Sequence, residues 1–365
     1  MTQLAETTEF RPPAHAALPL QPVDDPAVWS AADLAASDDW IYPLTGAETG
    51  ELDAAVAHLE ATGKEIMDIG RGDFALPTLG SRLAAVREQV LHGRGLALVR
   101  GVPVARYTRR QSAIAFWCIG LHIGVPVSQN ARGHVLGHVA DLGNSTLKNP
   151  SHRGYHTRET LPYHSDSCDV VGLLCLHAAK AGGMSLVTSS LAVHNGMLER
   201  RPDCVEALAG MIYRDRRGEI PEGKRPWFRL PVFNTFAGYL SVSWQGGYIR
   251  SAERFDELPE RSPVLAEALD LFTQLANELA FSMELRQGDI QFLHNHVTVH
   301  SRTEFEDCPE PERRRHLLRL WLATPGGRPL PPVYRDRYAH LGPGDRPAGG
   351  IVVPGTRFKA PLEAE

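Results

Sequence analysis

Apolar residues recur three or four positions apart in the first third of the chain and then change to short, turn-bounded runs. Over residues 49–59 the segment ELDAAVAHL has the period of an amphipathic helix, and Gly63 supplies its stop. A second helix is predicted over 81–91, ended by His92-Gly93. A third is predicted over 107–123, where Ile114, Trp117, Cys118 and Leu121 recur at helical spacing. Between these two, the apolar run GLALVRGVPV over 95–104 reads as a buried strand.

From Gly133 onward apolar stretches of strand length alternate with turn residues: HVLGHVAD, VGLLCLHAAK, SLVTSS, MIYRDRR, LPVFN, GYLSVSW, AFSMEL, DIQFLHN and HLLRLWLAT. Many short strands at this spacing predict an antiparallel sandwich or barrel. Helical inserts interrupt the series at about 191–200 and 263–280. The chain is therefore expected to be mainly β with helical inserts, an α+β protein. Four segments follow: an irregular arm over 1–36, a helical region packed on the core over 37–94, the β domain over 95–324, and a Gly/Pro-rich tail over 325–365 wrapped on the surface.

Composition narrows the function classes. With 43% hydrophobic and 22% charged residues over 365 positions, the chain has the make-up of a globular enzyme. A formal charge of −5 without long single-sign runs gives no support to a nucleic-acid or anionic-membrane partner; the cluster Arg313-Arg314-Arg315 is too short to change that. No apolar run reaches membrane-spanning length, and the first residues lack the basic start and apolar core of a secretory signal. The five cysteines are widely spaced, with no CxxC pair, which predicts reduced thiols in the cytoplasm. A small-molecule substrate is expected, and self-association into a homo-oligomer stays open.

The chemistry concentrates in two places. In LPYHSDSCDVV, His164 and Asp166 lie two apart, so on an extended backbone both side chains leave one face. An imidazole and a carboxylate side by side supply two corners of a divalent metal site, and two histidines with one carboxylate form the triad of iron(II) oxygenases. An HxD trio alone is weak evidence in a chain with 16 histidines. The second place is GDIQFLHNHVTVHSRTEF followed by RRRHLLRLWLAT, where Arg315 and Arg319 lie four apart and so share a face. A guanidinium on an apolar inner strand calls for an anion, such as a dicarboxylate. The alternative is that these arginines snorkel outward or pair with Glu304 or Glu306.

Taken in order, these motifs resemble the taurine dioxygenase family, which includes 2,4-dichlorophenoxyacetate dioxygenase, and more distantly the clavaminate synthase-like enzymes. The carriers are His164-Ser165-Asp166, the step Gly182-Gly183-Met184-Ser185, the run from Asn295 to Arg302 with His300 inside it, and Arg315. The resemblance spans roughly residues 95–324. It implies a double-stranded β-helix (a jelly roll) with Fe(II) held by His164, Asp166 and His300. Arg315 would grip the distal carboxylate of 2-oxoglutarate, helped by Ser185, and Arg319 would reach the substrate or the other co-substrate carboxylate. The implied reaction consumes O2, decarboxylates 2-oxoglutarate to succinate and carbon dioxide, and hydroxylates the substrate.

His294, His296 and His300 share parity on an extended strand, so geometry does not separate them. The Ser301-Arg302 that follows and the spacing to Arg315 favour His300, with His296 in a supporting role. His177, His194 and His316 read as ordinary residues, and Cys168 as a buried apolar side chain rather than a pocket thiol. In NPSHRGYHTRETLPY, a loop that lines the substrate pocket in such enzymes, Tyr155, His156, Arg158 and Tyr163 are substrate candidates; Asn130 and Asn144 are weaker ones. Desaturation, cyclisation or epoxidation would use the same ligands. Two readings from other classes are a non-catalytic jelly-roll binding protein and a zinc hydrolase; Arg315 and the intact ligand set oppose the first, and the lack of a marked general base opposes the second.

Overall fold

The computed structural model describes residues 20–143, 154–338, 341, 342, 344, 346 and 349–365. Three helices precede or flank the first long strand: α1 (Gly46–Thr62), α2 (Pro77–His92) and α3 (Arg109–Ile123). Thr45 and Glu48 cap α1 reciprocally, and Gly63 ends it in the left-handed region at φ 66°. Later come α4 (Ser190–Arg200), α5 (Pro202–Ala209) and α6 (Pro263–Glu278).

The strands that frame the site, in chain order, are β1 (Ile41–Pro43), β2 (Leu96–Arg100), β3 (Val125–Val127), β4 (Leu136–Val139), β5 (Leu161–His164) and β6 (Val170–His177). They continue with β7 (Ser185–Ser189), β8 (Phe281–Met283), β9 (Ile290–His294), β10 (Thr298–Arg302) and β11 (His316–Ala323). Seven form a large sheet ordered β1-β2-β9-β6-β11-β3, with β4 also paired to β11. Four form a smaller antiparallel sheet ordered β8-β7-β10-β5. The strands after Gly133 pair antiparallel as expected, while upstream of them, at one edge of the large sheet, β1 runs parallel to β2. Parallel strands need a crossover, and α1 and α2 supply it.

Strand parity sets the layers. On β11 the even positions Leu318, Leu320 and Leu322 face α1–α3, while Leu317, Trp321 and Ala323 turn inward with Val187 of β7 and Met283 of β8. The outer face of the small sheet, with Val299 and Tyr163, packs on α4–α6. The two sheets thus meet face to face, with helices outside each.

Three expectations need correction. The arm is not irregular throughout: Ser30 and Asp33 form a capping box on a short helix, Ala31–Ala35, and Val23, Ala27 and Trp29 are buried. Nor does the tail lie only on the surface. Leu330, Tyr334 and Tyr338 pack with Phe228 and Leu230, and Arg346 is buried. Finally, the three late histidines do not share one strand. A turn at Asn295-His296-Val297 separates β9, which ends at His294, from β10, which carries His300. Among the described residues no helix is long and apolar enough to cross a membrane.

Candidate active site

His300 lies mid-strand on β10, directly opposite His164 at the end of β5. Both face the space between the sheets, and Asp166 follows two residues beyond β5. His164 Nδ1–H donates to the Pro162 carbonyl at 2.9 Å, which fixes the tautomer and leaves the Nε2 lone pair free. That Nε2 stands 3.9 Å from one Asp166 oxygen, and His300 Nε2 stands 3.9 Å from the other. One donor atom from each of the three residues lies within 4.8 Å of the others, the only such His/Cys/Asp/Glu grouping among the described residues.

These atoms converge without hydrogen-bonding one another. Asp166 Oδ2 and His300 Nδ1 are buried and have no hydrogen-bond partner among the described residues. Leaving buried polar groups unpaired costs on the order of 1–3 kcal/mol each. A cation shared by the three donors removes part of that penalty, and two neutral nitrogens with one carboxylate suit a divalent transition metal. Burial pushes the His300 imidazole down to about 3, so it stays neutral. Burial works to raise the Asp166 carboxyl, but the Arg319 guanidinium, the His300 and His164 rings and a Trp321 hydrogen bond together hold it below the usual carboxylate range.

The backbone of Asp166 is set by the turn that separates β9 from β10. Asn295 Oδ1 accepts the Asp166 N–H at 2.9 Å, and the Asn295 amide donates to the Cys168 sulfur at 3.2 Å. Cys168 is fully buried among apolar side chains, as expected.

A pocket opens from the three donors and is lined by Ser185, Arg302, Arg315 and Arg319. Arg315 stands just before β11 and is buried. It makes no ion pair with Glu304 or Glu306; Glu306 pairs with Lys180 instead. Its Nη1 has no partner, the guanidinium lies 5.1 Å from the Phe305 ring, and burial lowers it to about 10. The neighbouring Arg313 and Arg314 are exposed, so the basic run splits between surface and interior.

The glycine step explains how Arg315 reaches its place. Gly182 and Gly183 both have positive φ. A Cβ on Gly182 would sit 2.3 Å from the Glu304 carbonyl oxygen, and one on Gly183 would sit 3.1 Å from Arg315 Nε. Ser185 follows on β7, and its hydroxyl donates to Gln291 Oε1 at 3.1 Å. Arg319 is held rigidly: Nε donates to Gln129 at 2.7 Å, Nη1 lies 3.6 Å from Asp166, and the rings of Tyr155 and Trp321 flank it at 4.4 and 5.1 Å.

The substrate candidates separate. Tyr155 lines the pocket and lies within 3.5 Å of Asn130. Tyr163 does not: parity on β5 turns it into the core under α4–α6. His156 is buried beside Tyr155 but is not among the pocket residues, and burial lowers it to about 4. Arg158 is exposed in a separate polar groove with Asp141 and Glu306. Asn144 lies outside the described residues. His294 and His296 point away from the three donors, His296 toward Asp169.

Arg302 escaped the sequence reading as a pocket residue. It is cross-strand partner to Ser185, donates to the carbonyls of Thr157 and Glu159, and keeps Nε and Nη1 unpartnered. The signal available was parity, since Arg302 follows His300 by two.

A sequence profile of the family described as Taurine catabolism dioxygenase TauD, TfdA family matches residues 55–321, starting well upstream of the motif resemblance. FR-33289 synthase of Streptomyces rubellomurinus is 34% identical over 321 residues, covering 85% of this chain and 93% of the relative. Taurine hydroxylase-like protein SAT17 of Stachybotrys chartarum is 31% identical over 325 residues, covering 83% and 82%. Among solved structures, asparagine oxygenase with Fe(II), 3-hydroxyasparagine and succinate superimposes with TM-score 0.63 at 18% identity, over 86% of this chain and 99% of that one. The non-heme iron oxygenase OrfP with Fe and alpha-ketoglutaric acid gives TM-score 0.57 at 15% identity, over 78% and 94%. The chain belongs to the TauD/TfdA family of dioxygenases.

Proposed function

We propose that this dioxygenase uses Fe(II) and 2-oxoglutarate to hydroxylate a small polar metabolite, with His164, Asp166 and His300 as metal ligands. The observation that carries the reading is the convergence of these three donors beside the buried guanidiniums of Arg315 and Arg319. The metal's contribution is oxidative decarboxylation of 2-oxoglutarate by dioxygen to succinate and carbon dioxide, coupled to attack on a substrate C–H bond. The chain's own residues bind and orient. Arg315 takes the distal carboxylate, with Ser185 beside it, because it lines the pocket with its buried Nη1 left without a partner. Arg319, stacked between two rings, offers its remaining donors to a second anionic group on the substrate or on the keto acid. Tyr155 forms part of the substrate wall.

The face-to-face sheets support the double-stranded β-helix as the architecture of residues 95–324. All five cysteines are free and four are buried, which suits a reducing cytoplasmic compartment. Hydroxylation is preferred over the non-catalytic binding role because the donor set and both arginines are all in place.

The test is spectroscopic. Anaerobic protein given iron(II) and 2-oxoglutarate is expected to develop a weak visible charge-transfer band and then to release succinate on admission of air. Tight zinc binding with neither band nor succinate would sink the proposal.

Arg315 gives a second test in which two readouts move in opposite directions. Arg315→Met should weaken 2-oxoglutarate binding ten- to a hundredfold, about 1.5–3 kcal/mol for a charge-assisted pair. It should also raise the melting temperature of the ligand-free protein, because a similarly long apolar side chain replaces a buried cation lacking an ion-pair partner. A fall in both affinity and melting temperature would mean that Arg315 is structural.

A further inference from the structure

Three residues beyond Asp166, on the same loop, Asp169 is completely buried. Its carboxylate accepts four hydrogen bonds: from His296 Nε2 at 2.9 Å, from Arg346 Nη2 at 2.6 Å and Nε at 3.1 Å, and from the Thr324 N–H at 2.8 Å. None of these groups touches the pocket. Arg346 also lies beyond residues 55–321, the span matched by the family profile.

The loop and the turn facing it form a closed frame. The Asp166 N–H donates to Asn295 Oδ1, the Asn295 N–H donates to the Asp169 carbonyl at 2.9 Å, and His296 donates to the Asp169 carboxylate. One charge neutralises this frame. Burial lowers His296, which leaves it neutral, so the cation facing Asp169 is Arg346. Burial would raise the Asp169 carboxyl, but the Arg346 guanidinium and the His296 hydrogen bond hold it well below the usual carboxylate range. Arg346 is itself tied down, with Nη1 donating to the Gly327 and Arg328 carbonyls at 3.0 and 2.8 Å. A segment that merely covered the surface would leave such a side chain in water.

We propose that Arg346 is a positioning residue for the metal centre, acting through Asp169 to fix the loop and turn that orient Asp166. The inference rests on the metal-ligand reading given above. Without the guanidinium, Asp169 must either take up a proton or move toward water. Each change alters the acceptor seen by His296 and loosens the turn whose Asn295 holds the Asp166 backbone.

The test pairs metal affinity with stability, using iron(II) or cobalt(II) alone under anaerobic titration. Arg346→Gln is expected to bind metal ten- to a hundredfold more weakly than wild type, with Arg346→Lys between the two. Arg82→Gln is the control, since it breaks an ion pair to the buried Glu48, at 2.9 Å, remote from the loop. It should lower the melting temperature of the metal-free protein while keeping wild-type metal affinity. Wild-type affinity in Arg346→Gln, or an equal loss in Arg82→Gln, overturns the inference. If Arg346→Gln does not fold, Arg346→Lys decides, because lysine cannot span both carboxylate oxygens and wild-type affinity there overturns it as well. A wild type that takes up no divalent ion overturns the ligand assignment itself, and this inference with it.

Discussion

His300→Ala is expected to lose metal affinity by at least about a thousandfold, roughly 4 kcal/mol, and to abolish succinate formation while staying folded. Two facts make the outcome one-sided. His300 supplies one of the three donors, and no other His, Cys, Asp or Glu among the described residues joins the group to replace it. The imidazole also does little for the fold, because its Nδ1 is buried without a partner and its Nε2 stands 3.9 Å from Asp166, beyond hydrogen-bonding distance. Truncation opens a cavity, yet it also removes an unpaired buried polar group, and these effects oppose each other. The checks are an anaerobic iron(II) titration and a melting curve of the metal-free protein. Retained metal affinity would show that the ion sits elsewhere. Collapse of the metal-free fold would show that His300 is structural.

The second large effect is loss of stability in mild acid. Burial is the first cause that lowers four histidines outside the donor set: His122, His134 and His156 to about 4, and His316 to about 3. Neighbouring cations reinforce it, with Arg71 beside His122, Arg132 beside His134 and His156, and Arg109 beside His316. In each case the folded-state value lies below that of the unfolded chain. Between about pH 6.5 and 4 the unfolded chain therefore binds protons that the folded one refuses, and stability held above pH 6.5 is lost on acidification. One pH unit below 6.5 the cost is about 1.4 kcal/mol per histidine, on the order of 5 kcal/mol for four. That matches the whole margin of many domains.

The hydrogen-bond pattern sharpens this expectation. His138 Nε2 lies 2.9 Å from the Pro361 carbonyl, and its Nδ1 lies 2.8 Å from His316 Nε2. The carbonyl accepts, so His138 donates through Nε2 and accepts through Nδ1. A proton added to Nδ1 would face the His316 N–H and break the chain. Circular dichroism of the metal-free protein between pH 7.5 and 4.5 should show a cooperative loss of structure near pH 5–5.5. A flat signal down to pH 5 would mean that these imidazoles are hydrated and titrate normally.

Both effects depend on features that differ in how far the sequence announces them. The strands were readable because each buries one or both faces against a fixed partner, so alternation and length suffice. The apolar run containing Leu96–Arg100 and the stop at Gly63 fall where local patterning places them. The pairing of Arg315 with Arg319 on one face was also legible, since a period of two survives into the structure.

The same rule misled where an unseen turn broke the strand. Shared parity held His294, His296 and His300 together only as long as the segment stayed extended, and the turn at 295–297 sends them to different surroundings. Among the substrate candidates, Tyr155 reaches the pocket while Tyr163 and Arg158 do not, because one faces a core packed by distant helices and the other faces water.

By itself, then, the sequence determined the elements, the faces of the strands and the donor types, since each follows from spacing within about ten residues. Only the tertiary structure decided which distant groups share charge. Arg346 meets Asp169 across 177 positions, and Arg328 meets Asp25 across 303. Such pairs carry no periodic signal, because an ion pair needs one contact rather than a repeating face. Which loop supplies that contact is settled by how the sheets and helices close around it.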